Sequence, residues 1–163
     1  MLEVPLAELE RRMQPGGFSA AGFLGKGERL LPLLEEDRLT LDALDLDFGM
    51  LGSGLEELIR RAASKPSRRA YVPPHSVAVS VTKGFQICPW AADPHAGQCS
   101  TGEGAEFSGV NWQIKNERTG KMLEGSGLLP HLIRDHHFFE GKWSPFRIEP
   151  RELAELLDLT SRE

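Results

Sequence analysis

Cysteine is scarce in this chain, with two in 163 residues. So few thiols exclude a disulfide framework, and a chain of this length can bury a core without one. Long apolar runs are missing too. No stretch approaches the roughly 20 residues that a membrane-spanning helix needs. Positive charge is in deficit, with a net charge of −5. A nucleic-acid partner is therefore not expected, because phosphate contacts call for lysine and arginine in excess. The local basic run Lys65-Pro-Ser-Arg68-Arg69 reads as a linker. The N-terminal MLEVPLAELERRM carries acids and lacks a basic region followed by an apolar one, so it is not a secretory signal. The expected location is cytoplasmic, where two cysteines read as free thiols or metal ligands.

Several motifs of chemistry are missing as well. Gly16, Gly17, Gly22, Gly25 and Gly27 crowd one segment but match neither the dinucleotide nor the P-loop spacing. No Gly-x-Ser-x-Gly elbow is present. Asp37, Asp42, Asp45 and Asp47 do not have calcium-loop spacing and read as a solvated face. No internal repeat or low-complexity segment stands out.

What is there is periodicity of two kinds. Leu6, Leu9 and Met13 make one apolar helical face within 5–14, closed by Gln-Pro-Gly-Gly. A second helix is expected over 28–37, kinked at Pro32, a third opened by Thr40, and a fourth opened by Ser53. Residues 65–74 read as a linker or crossing loop. Then the period changes to two. Val77, Val79 and Val81 alternate with small or polar residues, as do Val110, Trp112 and Ile114. Asn116 to Gly120 supplies a turn that returns through KMLEG. Ser144-Pro145 reads as a rigid crossing strand, and Pro150 opens a last helix. The expected fold class is α+β: N-terminal short helices packed on a small antiparallel sheet, with C-terminal helices. Residues 1–66 form the helical part and 70–163 the α+β part of one co-folding unit.

The densest chemistry lies in GLLPHLIRDHHFFEG, where His131, Asp135, His136 and His137 share one expected helix, 128–140. On a wheel of about 100° per residue, His136 falls in the middle of the apolar arc, while His131 and Asp135 flank one edge and His137 the other. A histidine so placed is expected to be buried and to need partners for its ring nitrogens. Upstream lie Cys88 and Cys99, at the two ends of CPWAADPHAGQC. Thiolates on a β segment followed by two imidazoles on a helix are the ingredients of a Cys2His2 zinc site. The four-residue gap between His131 and His136 fits that pattern; the ten-residue gap between the cysteines does not, and His95 offers a third imidazole. The metal candidates are Cys88, Cys99, His131 and His136. Against them stands the plainer reading of two core thiols and a core histidine with no metal. A three-ligand version with Asp135 or Glu140 as base would be a hydrolase site, and Cys88 with His136 a nucleophile pair. Phe138, Phe139, Trp143 and Phe146 are expected in the core, or in a groove for a partner.

The run LLPHLIRDHHFFEGKWSPFRIEPRELAELL, together with SAAGFLGKGERLLPLLEEDRLTLDALDLDF, KGFQICPW and IKNERTG, resembles a group of bacterial proteins with no assigned activity. Their signature is His-Leu-Ile-x-x-His-x-Phe-Phe-Glu-Gly followed by Ser-Pro-Phe-Arg. The resemblance implies one co-folding unit. It does not carry a zinc site across the group, because some members have serine at the position matching Cys88 and tyrosine at that matching His136. With no complete catalytic constellation, the enzyme question stays open. The functional expectation is a non-enzymatic cytosolic interaction or regulatory protein with a protein partner and no membrane, zinc being the cofactor it could hold. The alternative is a metal-dependent hydrolase using helix 128–140.

Overall fold

The structure is a computed structural model that describes residues 4–82, 86–91, 99 and 107–159. His95 and residues 83–85 lie outside the described residues. The elements, in chain order, are α1 (Leu6–Met13), α2 (Leu30–Leu44), α3 (Phe48–Ala63), β1 (Arg69–Val72), β2 (His75–Val81), β3 (Val110–Asn116), β4 (Met122–Ser126), α4 (Leu129–His136) and α5 (Pro150–Leu156). The strands form one four-stranded antiparallel sheet in sequence order, β1-β2-β3-β4. The fold is therefore α+β. Of the N-terminal helices, α3 lies on β1 and β2, while α2 packs against α5.

The alternation read from the sequence is the alternation of burial. Val77, Val79, Trp112 and Ile114 turn inward and join Leu51, Leu55 and Ile59 of α3. Each such side chain contributes roughly 1.5–3 kcal/mol when fully buried. At the far end of the sheet, His75 Nε2 and the Asn116 side-chain amide both meet the Leu156 carbonyl, at 2.7 and 3.1 Å. That oxygen ends α5 and has no partner within the helix, so His75 is structural.

Several local expectations are corrected. Residues 65–74 are not all linker: Arg69–Val72 pairs with β2 across the Pro73-Pro74 turn, a pairing that only the neighbouring strand reveals. The expected second and third helices are one. Pro32 sits in the first turn of α2, where its missing N–H costs nothing, and Thr40 donates back to the Glu36 carbonyl at 3.1 Å instead of capping. Ser53 lies inside α3, which is capped by Asp47 accepting from the Met50 N–H at 2.7 Å. Ser144 is part of two consecutive turns rather than a crossing strand, with its N–H on the Gly141 carbonyl at 3.0 Å. Phe138 and Phe139 are fully buried, but Trp143 is 77 % exposed and Phe146 39 %.

Helix α4 divides the interior in two. Leu129 and Ile133 face the sheet core, while Leu128 and Leu132 face a second core built from Leu9, Met13, Phe23, Leu24, Leu30 and Cys88. It crosses α3 closely because residue 52 is glycine: a Cβ there would stand 2.7 Å from Arg134 Cβ and 2.8 Å from the Pro130 carbonyl. Arg134 also pairs with Glu56 of α3. These contacts fix the helix that carries the histidines.

Candidate metal centre

Helix α4 is eight residues long and stops at His136; it does not run on to Glu140. His137 is left-handed, at φ 58°, and its N–H closes the last turn on the Ile133 carbonyl at 3.1 Å. That turn throws His137 to the opposite side, where its ring stacks on Phe48 at 4.2 Å. His137 therefore stands apart from the other two imidazoles.

The burial order of those two is the reverse of the expected one. His131 is 2 % exposed, and His136 is half-buried at the rim. The wheel ranks positions by apolar neighbours on the helix alone. Here His131 also meets Cys88, a member of the second core, and the ring of His136. The two rings meet edge to face, with centroids 4.9 Å apart.

Both cysteines come to this place. Cys88 Sγ lies 3.4 Å and Cys99 Sγ 3.1 Å from His136 Nε2. One ligand atom from each of Cys88, Cys99, His131 and His136 falls within 4.8 Å of the others. A tetrahedral ion with ordinary Zn–S and Zn–N bonds holds its donors roughly 3.3–3.8 Å apart, so modest closure would bring the set to coordination distance. The ten-residue gap between the thiols is no obstacle, because the donors converge in space rather than along one knuckle.

The second shell is also built. His131 Nδ1 meets Asp135 Oδ2 at 2.7 Å, and in the neutral ring a bond donated from Nδ1 leaves Nε2 as the bare acceptor. That nitrogen is buried and has no hydrogen-bond partner among the described residues. A buried lone pair without a donor is costly, and a metal ion is one way to satisfy it. A carboxylate on the far nitrogen of an imidazole is the usual support for a metal-bound histidine. Arg134 holds Asp135 in turn, at 3.3 Å. Cys99 beside it, together with burial, pushes the Cys88 thiol far above the ordinary thiol range. A cation held by the two sulfurs would favour their thiolates.

Two residues outside the donor set shape the Cys88 turn. Ala91 N–H closes it on the Cys88 carbonyl at 2.9 Å. From α1, Arg12 Nη1 donates to the Pro89 and Ala91 carbonyls, both at 2.8 Å, with the arginine 8 % exposed. Trp90 stacks on the His136 ring at 4.2 Å and 5°. The turn is thus held from beneath by a guanidinium and tied through its tryptophan to the helix. Arg12 is separated from these carbonyls by 77 and 79 residues, and nothing in the sequence marks it.

The other candidate bases lie elsewhere or are occupied. Asp135 is committed to His131 and Arg134. Glu140 is 1 % exposed, accepts from the Ser144 hydroxyl at 3.1 Å, and is pushed up to about 8 by burial. Cys88 and His136 do approach, but the thiol is buried and raised rather than activated. Among the described residues, no helix is long and apolar enough to cross a membrane. Compared with protein-family models, curated proteins and solved structures, the chain finds no match.

Proposed function

We propose that this is a non-enzymatic cytosolic interaction or regulatory protein whose second core is locked by one structural zinc ion on Cys88, Cys99, His131 and His136. The observation that carries the reading is the convergence of two thiols and two imidazoles on one place, with the buried Nε2 of His131 left without a partner among the described residues. Borderline-soft sulfur and nitrogen donors suit zinc, and four protein donors make a closed shell whose role is folding rather than catalysis. When bound, the ion would tie the Cys88 turn and Cys99 to α4. The chain's own part is to orient His131 through Asp135 and to hold the turn through Arg12.

The hydrolase reading needs an open coordination position and a base free to take a proton. Four donors leave no such position, Asp135 is taken by His131 and Arg134, and Glu140 is buried beside Ser144 and pushed up to about 8 by that burial. A partner-binding role draws support from rigidly mounted exposed aromatics. Trp143 sits on the 22–28 loop, with Glu28 accepting from the Lys142 N–H at 2.7 Å and the Trp143 N–H at 3.3 Å. An exposed tryptophan on a fixed backbone is the residue type that dominates interface energies.

The test is elemental analysis of protein purified without a histidine tag. The expected result is about one zinc per chain, lost together with several degrees of melting temperature in His131→Ala and in Cys99→Ala. Metal-free protein whose melting is indifferent to both substitutions would overturn the proposal and leave the cluster as a core seam.

A further inference from the structure

The sheet has two faces, and the core uses one of them. On the other, the cross-strand register sets Arg69, Ala78, Gln113 and Glu124 in one row and Tyr71, Ser76, Lys115 and Met122 in the next. None of these eight residues is buried, and Tyr71 is 61 % exposed. Two grooves of about 700 and 460 Å³ run along this face and share Arg69, Ala78 and Gln113. Arg68 and a second aromatic, Phe146, line the larger, while Lys65 and Tyr71 line the smaller.

The charge here is opposite in sign to that of the chain. The side chains of Lys65, Arg68 and Arg69 have no ion-pair or hydrogen-bond partner among the described residues. Of the acids on the face, Glu117 is occupied by Ser76 and Lys115. Glu124 stands on β4, three strands and so about 14 Å from Arg69. An acidic protein that leaves three adjacent cations unpaired beside an exposed tyrosine has a surface complementary to phosphates next to planar rings. The two grooves adjoin at Arg69, Ala78 and Gln113 and together extend over the sheet face, unlike the single enclosed pocket that a small ligand favours.

We propose that this open sheet face binds single-stranded nucleic acid, with Lys65, Arg68 and Arg69 on the backbone phosphates and Tyr71 stacked on a base. The basic run that reads as a linker in the sequence is then the electrostatic half of the site. The face contains none of the four metal-donor residues, so the proposal stands or falls apart from the zinc.

The test is fluorescence anisotropy with labelled oligothymidine and oligouridine of about twelve nucleotides, a length that spans one such surface. Binding in the micromolar range is expected at about 50 mM salt, weakening about 20-fold at about 200 mM if three phosphates are neutralised. The double substitution Arg68→Ala, Arg69→Ala should weaken binding at least tenfold and flatten the salt dependence. Tyr71→Ala should weaken it about fivefold or more with the salt dependence kept. All three positions are exposed, so melting temperature and zinc content should match the parent. No binding at about 100 µM protein in low salt would overturn the proposal. So would parent-like binding by the double variant, or displacement of the oligonucleotide by polyglutamate as readily as by itself, which would point to an acidic protein partner.

Discussion

Replacing Arg12 by alanine asks whether the candidate metal turn is held from α1. The guanidinium makes two charge-assisted hydrogen bonds at 2.8 Å to the Pro89 and Ala91 carbonyls. Bonds of this kind contribute about 1.5–3 kcal/mol each, and both acceptors sit in buried residues. The Arg12 pair with Glu8 lies four residues along one helix and adds only about 0.3–0.5 kcal/mol. Alanine therefore leaves two buried carbonyls unpaired, and the expected loss is about 3–5 kcal/mol, a large part of a typical domain's stability. The assay is urea denaturation of the zinc-loaded protein, run beside a chelator competition that reads metal affinity. Arg12→Ala should lower both, and Arg12→Lys should recover part of the stability through a single ammonium. A loss below about 1 kcal/mol with unchanged metal retention would refute the reasoning. It would mean that water satisfies the two carbonyls and that the turn holds its shape without α1.

Two further expectations concern single carboxylates. Asp135→Asn keeps the shape beside His131 but removes the charge that orients and polarises its ring, so zinc affinity should fall about 10–100-fold with little change in fold; equal chelator competition curves would count against the second-shell role. Glu140 is an acid whose folded value, about 8, lies above its ordinary 4.5. Its burial is tolerated while both states keep the proton, below about pH 4.5, and stability falls as the pH rises from there towards 8. At pH 7 the accumulated penalty is about 3 kcal/mol, from about 2.5 pH units at 1.36 kcal/mol each. Glu140→Gln, neutral throughout, should gain on the parent with rising pH between 5 and 8; parallel stability curves would show that the carboxylate is ionised in place.

The helices and strands were legible where one side of an element is buried. Period-two alternation in 75–81 and 110–116 marks β2 and β3 because their even-spaced residues meet a core. β1 was not legible, since Arg69–Val72 is short and its pairing depends on a neighbour. The break placed at Thr40 was a matter of local chemistry. A threonine hydroxyl can cap a helix or bond back to the previous turn, and only the continuing apolar face of α2 selects the second.

The sequence by itself determined which atoms could meet a metal. Two thiols and a histidine-rich helix, in that order, named Cys88, Cys99, His131 and His136, the four that converge. Residue type limits coordination chemistry, so that much needs no coordinates. Tertiary structure alone decided the rest. It buried His131 more deeply than His136, turned His137 away onto Phe48, tied Asp135 to His131 and Arg134, and brought Arg12 under the Cys88 turn. It also left Lys65, Arg68 and Arg69 beside the grooves of the outer sheet face, without a side-chain partner among the described residues. Periodicity reports the burial that an element's own neighbours impose. These choices arise where two cores and a sheet edge close on residues tens of positions apart, and no local pattern records that approach.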